Sequence, residues 1–547
     1  MSFFDVNNVH MYCAIVLSLI NGVLMCFAAY KFFQIIQLSG YRIRGYFLWL
    51  RDTKARYVSR VVVLGLMSVL CSLVTNALFD IYSIFQVDSL YSYLGLVFYF
   101  YFTIVFIQNL YSAPKKVPLK NTRRMTRLNI AMFIVSALFS FVVIAVSSEF
   151  LDLLKFGGLC LVPMFLPLLV PFVHLLMVPF ENTIINGHVA RAKHKLKSYP
   201  NLIKIGITGS YGKTSTKYIL NAILSQKYNV CMSPHSFNTN TGLSKVINNF
   251  LVEENEVLIT EMGARSPGDI KQLVDIVKPK YAIITGVGSQ HLLSFNTVEN
   301  IIKTKYELIE ALPEDGYAVF SGDNDIAYDM YKKCPVKKDV VGNSREESEI
   351  KYTRLRVDKN GTHFTLQVGK ESINCNTKLL GRHNVENIML CVRMALELGL
   401  TLEEIKEGIT NLKPVPHRLE MIKNDDGTII LDDSYNASVE GCEVALDVLS
   451  KFGNNKIVVT PGLVELGRKE KEENFNFGVK MTKVANKIII VNKANLESIK
   501  AGIESTDFAS ENIYEAESLD KAIELLKTIL KPGDAVLFEN DLPDNYI

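Results

Sequence analysis

Seven consecutive residues, Thr208-Gly209-Ser210-Tyr211-Gly212-Lys213-Thr214, bring two glycines, a lysine and several hydroxyls into one short stretch. Such glycines let backbone N–H groups close around phosphate oxygens. A lysine beside them adds a point charge, and the hydroxyl of Thr214 is placed to meet Mg2+. The stretch also stands where a phosphate loop must stand. LIKIGITG before it is an apolar run that reads as a strand, and TSTKYILNAILSQK after it has helical spacing. The strict G-x-x-x-x-G-K-[ST] spacing is missing because position 207 is Ile, so the bland alternative is a chance glycine turn.

Other residues able to do chemistry also follow apolar runs. Glu261 follows VLIT, and a carboxylate at the C-terminal end of a parallel strand faces the crevice where α/β proteins bind ligands. A solvent-exposed strand-end acid is the alternative. His291 follows YAIITGV and offers a neutral imidazole nitrogen to a metal, or else serves as a core or capping residue. Asn384 and Asn387 share one face at the start of a helical stretch from Arg382 to about Leu400, where helix capping is the plain alternative. Arg418 follows a Pro-framed linker and is a candidate cation that reaches back over phosphates. Asp433 follows TIIL and either serves a ligand or caps the next helix, while for Lys305 beside Lys303 an ordinary helix-surface lysine is the plain alternative. No role is assigned to His235.

Together these strings resemble the Mur ligase family, whose phosphate loop reads T-G-[ST]-x-G-K-[ST]. SFNTNTG (236–242), ITEMGA (259–264), TGVGSQH (285–291), KTKYELIE (303–310), LLGRHNVENI (379–388), PVPHRLE (414–420) and LDDSYNAS (431–438) follow in the family's order. EMGA and DDSYNA look most like the branch that adds D-alanyl-D-alanine. The resemblance implies ATP and Mg2+ as cofactors and an acyl-phosphate route to an amide bond. It implies nucleotide contacts from Gly209, Ser210, Gly212, Lys213, Thr214, Ser215, Asn384, Asn387, Arg418 and Asp433. Metal contacts are implied for Thr214, Glu261, His291 and Lys305, and catalytic roles for Lys213, Lys305, His291 and Arg418. Asn384 and Asn387 would read an adenine edge, and Lys305 aligns with a lysine that many members carbamylate. Ligation needs the acyl phosphate because an unactivated carboxylate does not react with an amine in water, and transfer of so anionic a group depends on cation clamps and positioning.

These residues occupy only the second part of a chain of 547 residues, in which charged residues make up 21%. The apolar excess lies before Asn182. Five stretches near 12–35, 61–84, 89–110, 128–148 and 155–178 are long enough to cross a hydrocarbon core, which takes about 20 helical residues. Arg42, Arg44, Arg51, Lys54, Arg56 and Arg60 follow the first, and Lys115, Lys116, Lys120, Arg123, Arg124 and Arg127 follow the third; the alternate loops around 86–88 and 148–153 have no Lys or Arg. The positive-inside rule then puts the N-terminus outside and the rest of the chain in the cytoplasm of a multi-pass cell-membrane protein. Polar Asn76 and His174 within the spans are compatible with a transport path, but no paired set of acids and bases accompanies them. An anchor or lipid-facing platform is the simpler reading.

The expected architecture is an α-helical membrane domain (1–180), a basic juxtamembrane linker helix (181–199), a P-loop α/β central domain (200–414) and a Rossmann-like α/β C-terminal domain (415–547). Strands are expected at 202–209, 257–261, 281–287 and 317–321, then at 428–432, 456–460, 487–491 and 535–539. A hairpin from EIKYTRLRV and NGTHFTLQV precedes LLGRHN, and a hinge is expected around Pro414 and Pro416. The net charge of +3 does not call for a nucleic-acid partner, and nine scattered cysteines without a C-x-x-C pair read as reduced thiols rather than a disulfide framework or zinc site.

Two departures bear on substrate. Soluble members of the branch hold the UDP-sugar end of their substrate in an N-terminal α/β domain, where this chain has membrane spans. TPGLVELG (460–467) also lacks an acidic residue that many relatives carry there. The amine is therefore expected to be an amino acid or dipeptide, D-alanyl-D-alanine first, and the acceptor a UDP-linked or lipid-linked cell-wall precursor. A ligase for another envelope polymer, such as a polyglutamate, and a nucleotide-switched transporter or scaffold are the alternatives. Oligomeric state is not legible.

Overall fold

The computed structural model describes residues 6–52, 119–150 and 157–540, apart from 235–236, 289–291, 436–437, 454, 465 and 493, together with scattered helical positions between 62 and 108. The chain divides into two compact units, Met1–Ile184 and Ile185–Ile547.

In the first unit, the helices Val6–Ala28 and Arg123–Phe150 pack side by side. Gly22 permits this close approach, since a Cβ there would lie 3.1 Å from both Ala137 Cβ and Phe133 O. Polar groups point inward: Asn21 Nδ2 donates to Ser140 Oγ at 2.8 Å, and the Tyr99 hydroxyl donates to Asn21 Oδ1. Ile15, Leu19, Val23, Ile130, Ile134, Leu138 and Val142 are turned outward and exposed. Three helical segments among the described residues, Met11–Ala28, Arg123–Val146 and Val162–Lys197, are long and apolar enough to cross a membrane.

The expected spans at 61–84 and 89–110 fall largely outside the described residues. The first expected span is broken, with Val6–Ala28 followed by a separate helix Tyr30–Leu38. The fifth also differs. A 3-10 turn, Gly157–Phe165, leads into one helix, Leu166–Lys197, which takes in the segment expected to form a separate linker helix from residue 181. Pro171 and Pro179 are accommodated inside it. Asn182, Thr183 and Gly187 lie inside the helix without ending it, and Thr183 Oγ1 donates back to Pro179 O at 3.0 Å. His194, Lys195 and Lys197 occupy the last turn, where cations suit the negative end of the helix dipole.

The second unit contains two six-stranded sheets and a smaller one. The strands β1 (Ile203–Thr208), β2 (Val230–Met232), β3 (Val257–Glu261), β4 (Tyr281–Ile284), β5 (Tyr317–Ser321) and β6 (Lys337–Val341) form an all-parallel sheet in the order β2-β3-β1-β4-β5-β6. Residues alternate between its two buried faces. Val257, Ile259 and Ile283 join one core with Ile219, Ile223 and Ile388, whereas Leu258, Ala282 and Ile284 join the other with Leu273 and Leu308. Burying each Val, Leu or Ile among them contributes about 1.5–3 kcal/mol. The chain leaves β1 in one direction toward β2 and β3 and returns on the other side at β4, so the crevice beyond the C-terminal end of β1 is a topological switch point.

The expected hairpin has a third strand: β7 (Ile350–Asp358), β8 (Gly361–Val368) and β9 (Glu371–Thr377) form an antiparallel sheet. It sends Ile350, Tyr352, Phe364, Leu366 and Cys375 into the first core. After it, β10 (Glu420–Lys423), β11 (Ile429–Asp433), β12 (Lys456–Thr460), β13 (Lys487–Val491), β14 (Ile513–Ala516) and β15 (Ala535–Glu539) form a sheet ordered β10-β11-β15-β12-β13-β14, parallel except for β10 at its edge. Among the described residues, Cys13, Cys26, Cys231, Cys334, Cys375, Cys391 and Cys442 are free thiols.

Candidate functional site

The turn between β1 and the helix Lys213–Leu224 is shaped by two glycines. Gly209 has φ +156°, and a Cβ on it would lie 2.0 Å from Thr285 Oγ1; Gly212 has φ +79°, and a Cβ there would lie 2.8 Å from Asn387 Oδ1. The turn is tied to the strand-end string TGVG. Ser210 N donates to Gly286 O at 2.8 Å, while Ser210 Oγ donates to Gly288 O at 3.1 Å and accepts from Gly288 N at 3.0 Å. Tyr211 lies flat against Gly286, where a Cβ would come within 2.1 Å of its ring, and its hydroxyl accepts from Asn324 Nδ2 at 3.1 Å. Lys213 Nζ donates to the carbonyls of Gly209 and Ser210, 2.8 Å each. This is a braced loop at a helix N-terminus rather than a chance turn.

Glu261 closes the floor of the site. It is 1% exposed, so the exposed strand-end alternative does not hold. Oε2 accepts from Thr214 Oγ1 at 3.0 Å and lies 3.5 Å from Lys217 Nζ; Oε1 accepts from Asn238 Nδ2 at 3.0 Å. The helix repeat explains the convergence, since Thr214 and Lys217 are three residues apart and share a face. The hydroxyl and carboxylate oxygens of Thr214 and Glu261 are hard donors of the kind Mg2+ takes, with phosphate oxygens and water completing its shell.

Lys305 is 3% exposed on the helix Val298–Glu310, so it is not a surface lysine. Gly206 brings that helix close to β1, because a Cβ there would lie 2.8 Å from Leu308 Cδ1; Lys305 is one turn before Leu308. Burial holds the Lys305 ammonium well below the ordinary lysine range and nearby Lys213 adds to this, against the pull of Asp269, Glu261 and Glu307. Two of those acids are occupied elsewhere. Glu307 accepts from Gly268 N and Lys271 N at 2.9 and 2.8 Å, and Asp269 from Arg265 N and Ser266 N at 2.9 Å each. Burial also pushes Lys213 down to about 8, with Glu261 opposing and Arg418 reinforcing the shift, and lowers Lys217 against the same carboxylate. The pocket therefore gathers Lys213, Lys217 and Lys305 near Glu261, whose two oxygens are already held by Thr214, Lys217 and Asn238, so Lys213 and Lys305 are the cations placed to meet an added anion.

From the C-terminal sheet, Arg418 lies with its guanidinium over the Tyr435 ring, 4.6 Å from the centroid, and acts electrostatically on Lys213, His383 and Asp433. Asp433 ends β11, and its Oδ1 accepts from Leu419 N at 3.1 Å. Burial raises its carboxyl to about 6, Arg418 and the Leu419 N–H oppose this, and Asp432 adds to it. The next helix, Val439–Ser450, is capped by Ser438, whose Oγ accepts from Gly441 N at 3.0 Å, so Asp433 is not that cap.

Asn387 reaches the phosphate loop, with Oδ1 accepting from Thr216 Oγ1 at 3.2 Å. Asn384 instead donates from Nδ2 to Leu380 O at 2.8 Å; the helix N-cap itself is Gly381. Ser215 sits half-buried in the first turn of the loop helix. His291 and His235 lie outside the described residues. The motif strings did not single out Lys217 or Asn238 as site residues. The signal for Lys217 was its place four residues after Lys213, on the face that includes Thr214.

Comparison with known proteins matches residues 207–395 to the Mur ligase middle domain and residues 417–539 to the Mur ligase, glutamate ligase domain. The UDP-N-acetylmuramoyl-tripeptide–D-alanyl-D-alanine ligase of Escherichia coli (strain K12) is 31% identical over 271 residues, covering 48% of this chain and 58% of that protein. Its counterpart in Bacillus subtilis (strain 168) is 32% identical over 275 residues, covering 50% and 58%. This chain thus spans less than three fifths of the length of those relatives. Among solved structures, MurF from Thermotoga maritima in complex with ADP superposes with a TM-score of 0.59 at 27% identity, covering 66% of this chain and 81% of that one.

Proposed function

From membership of the Mur ligase family, which this chain holds through its middle and C-terminal domains, we propose that it is an ATP- and Mg2+-dependent ligase forming an amide bond through an acyl phosphate. The observation that carries this reading is the convergence of Lys213, Lys217 and Lys305 on Glu261 beneath a glycine-shaped loop, which sets cations and hard oxygen donors where a triphosphate and its metal would lie. Transfer of the γ-phosphoryl group to a substrate carboxylate leaves ADP, and attack by the amine on the acyl carbon then releases phosphate. Lys213 would clamp the transferring phosphate, with Arg418 approaching from the C-terminal side. Thr214 and Glu261, joined by His291 and by Lys305 as a carbamate, would hold Mg2+, which neutralises phosphate charge when bound. Asn384, Asn387 and Asp433 would position the nucleoside.

The amine we assign first is D-alanyl-D-alanine, because the Escherichia coli and Bacillus subtilis relatives are named for it. The acceptor is a cell-wall precursor carrying a free carboxylate, UDP-linked or lipid-linked. We place 1–180 in the cell membrane as five spans with the N-terminus outside, followed by a linker to 199, a cytoplasmic nucleotide-binding domain to 414 and a Rossmann-like domain from 415. The outward apolar and inward polar side chains of the first unit support a lipid surround.

The test is the purified full chain with ATP, D-alanyl-D-alanine and a panel of UDP-linked and lipid-linked acceptors. ADP release that requires both amine and acceptor, with an amide product by mass spectrometry, is expected. ADP release indifferent to both would refute ligation and favour a nucleotide-driven switch.

A further inference from the structure

We propose that the first unit contains a binding site for the phosphate group of an anionic lipid, centred on Arg124. Three segments build it. The helix Arg123–Phe150 opens with Arg123, Arg124 and Arg127 and has no acidic residue in its first turn, although its N-terminus already carries the positive end of the helix dipole. Tyr41 follows the helix Tyr30–Leu38, and the approach to Arg124 is fastened to that helix by a reciprocal pair: Lys120 N donates to Gln37 Oε1 and Gln37 Nε2 to Lys120 O, both at 2.8 Å. The third segment, in the helix Leu166–Lys197, supplies His174, with Nε2 3.0 Å from Tyr41 O, and Glu181.

Among the described residues, the cations of this corner outnumber its acids. Glu181 is buried and is taken by Arg127 in a two-pronged pair, 2.6 Å from Nε and 2.7 Å from Nη2. Arg124 is left with Nε 3.8 Å from the same carboxylate, too far for a hydrogen bond. Its guanidinium lies on the Tyr41 ring, 3.8 Å from the centroid, which fixes its plane without satisfying a single N–H. Among the described residues no hydrogen bond from Arg124 is found, and its Nε is buried without a partner. A planar cation three-quarters covered, with its buried Nε unpartnered, no protein acceptor for its other donors among the described residues and a helix dipole behind it, suits a planar or tetrahedral oxyanion. It stands at the polar end of an apolar helix, Arg123–Val146. A phosphate attached to a lipid meets both conditions, with its oxygens on Arg124 and its chains along the exposed face of Ile130, Ile134 and Leu138. The inference rests on the proposed membrane placement of this unit.

The experiment uses the full chain in detergent and reads bound lipid by native mass spectrometry. Phosphatidylglycerol, phosphatidylcholine, a polyprenyl diphosphate and inorganic diphosphate are the probes. Phosphatidylglycerol is expected to bind several-fold better than phosphatidylcholine, and Arg124→Gln to weaken it about ten-fold, as for loss of a charged hydrogen bond. Glu181→Gln, which removes the competing carboxylate, is expected to hold or strengthen it. A loss with Arg124→Gln and none with Glu181→Gln separates a binding role from general damage. Displacement of phosphatidylglycerol by the polyprenyl diphosphate assigns the site to a lipid-linked diphosphate; its failure to displace assigns the site to bilayer phospholipid. Inorganic diphosphate binding as well as either lipid, or equal lipid binding by wild type and Arg124→Gln, would overturn the proposal. Alkaline carbonate extraction of cell membranes is run alongside. A chain that stays with the membrane while Arg124→Gln binds normally refutes only this site, whereas a chain released into the supernatant refutes the membrane placement and the site together.

Discussion

Lys217 Nζ stands 3.5 Å from Glu261 Oε2, and neither side chain is open to solvent. The same carboxylate accepts from Thr214 and Asn238, so one acid at the end of β3 binds the loop helix to the strand beside it. Removing one member of a buried pair leaves the other charged and unpaired, at a cost of about 3–5 kcal/mol, whereas removing both costs far less. Lys217→Met and Glu261→Gln are each expected to lower the melting temperature, and the double variant to melt well above the sum of the two losses. Additive losses in that double-mutant cycle would show that the pair is not coupled.

Gly209 tests the loop itself. At φ +156°, with Thr285 Oγ1 2.0 Å from a would-be Cβ, even alanine must displace the strand-end threonine or reopen the turn. Gly209→Ala is expected to weaken ADP by about ten-fold or more, measured by calorimetry, and to lower melting as well, because buried Thr285 at the end of an inner strand must move. Unchanged ADP affinity would place the nucleotide elsewhere.

Strands rich in Ile and Val were readable along the chain because they are buried on two faces and form continuous apolar runs; β3, β5, β12, β13 and β15 run over the expected residues. The edge strands were not readable. β2 is three residues long, β6 begins Lys337-Lys338-Asp339, and β10 pairs antiparallel on the outer side of its sheet, so none carries a two-faced pattern. Within the site, Gly209, Gly212, Lys213, Thr214 and Glu261 announced themselves by local spacing. Lys217 and Asn238 did not, because what distinguishes them is a shared contact with Glu261, 44 and 23 residues away in the chain. The burial of Lys305 was equally hidden, since it depends on how closely Gly206 lets a helix approach β1.

Lys213 predicts a pH dependence. Its ammonium is lowered by burial to about 8 from an ordinary 10.5, so between those values the unfolded chain holds a proton that the folded chain has released. Stability of the nucleotide-free protein should therefore rise as pH increases from about 8 toward 10.5, and the penalty is fully present below 8. Nucleotide binding runs the opposite way, because phosphate favours the charged lysine; ADP affinity should fall above pH 8, by up to about ten-fold per unit for one linked proton. Calorimetry between pH 6.5 and 9.5 reads both trends. Lys213→Met should flatten them, and a variant that kept the wild-type slope would assign the proton to another group.

Lys305 gives the last prediction. Burial, with Lys213 beside it, lowers the Lys305 ammonium well below the ordinary lysine range and so raises the share of neutral amine, the form that attacks carbon dioxide. A C–N bond forms, the nitrogen loses a proton, and the neutral amine becomes an anionic carbamate with two oxygens. That change would replace a buried amine with an oxygen donor near Glu261. Protein prepared in carbon-dioxide-free buffer is therefore expected to lose most of its ATP- and amine-dependent turnover and to regain it with bicarbonate. With 13C-labelled bicarbonate, a carbamate carbon should appear in the NMR spectrum of the wild type and be absent from Lys305→Arg, whose guanidinium stays protonated and does not react. A carbamate signal of equal strength in that variant would move the modification to another lysine, and turnover indifferent to bicarbonate would leave Lys305 acting as a plain amine.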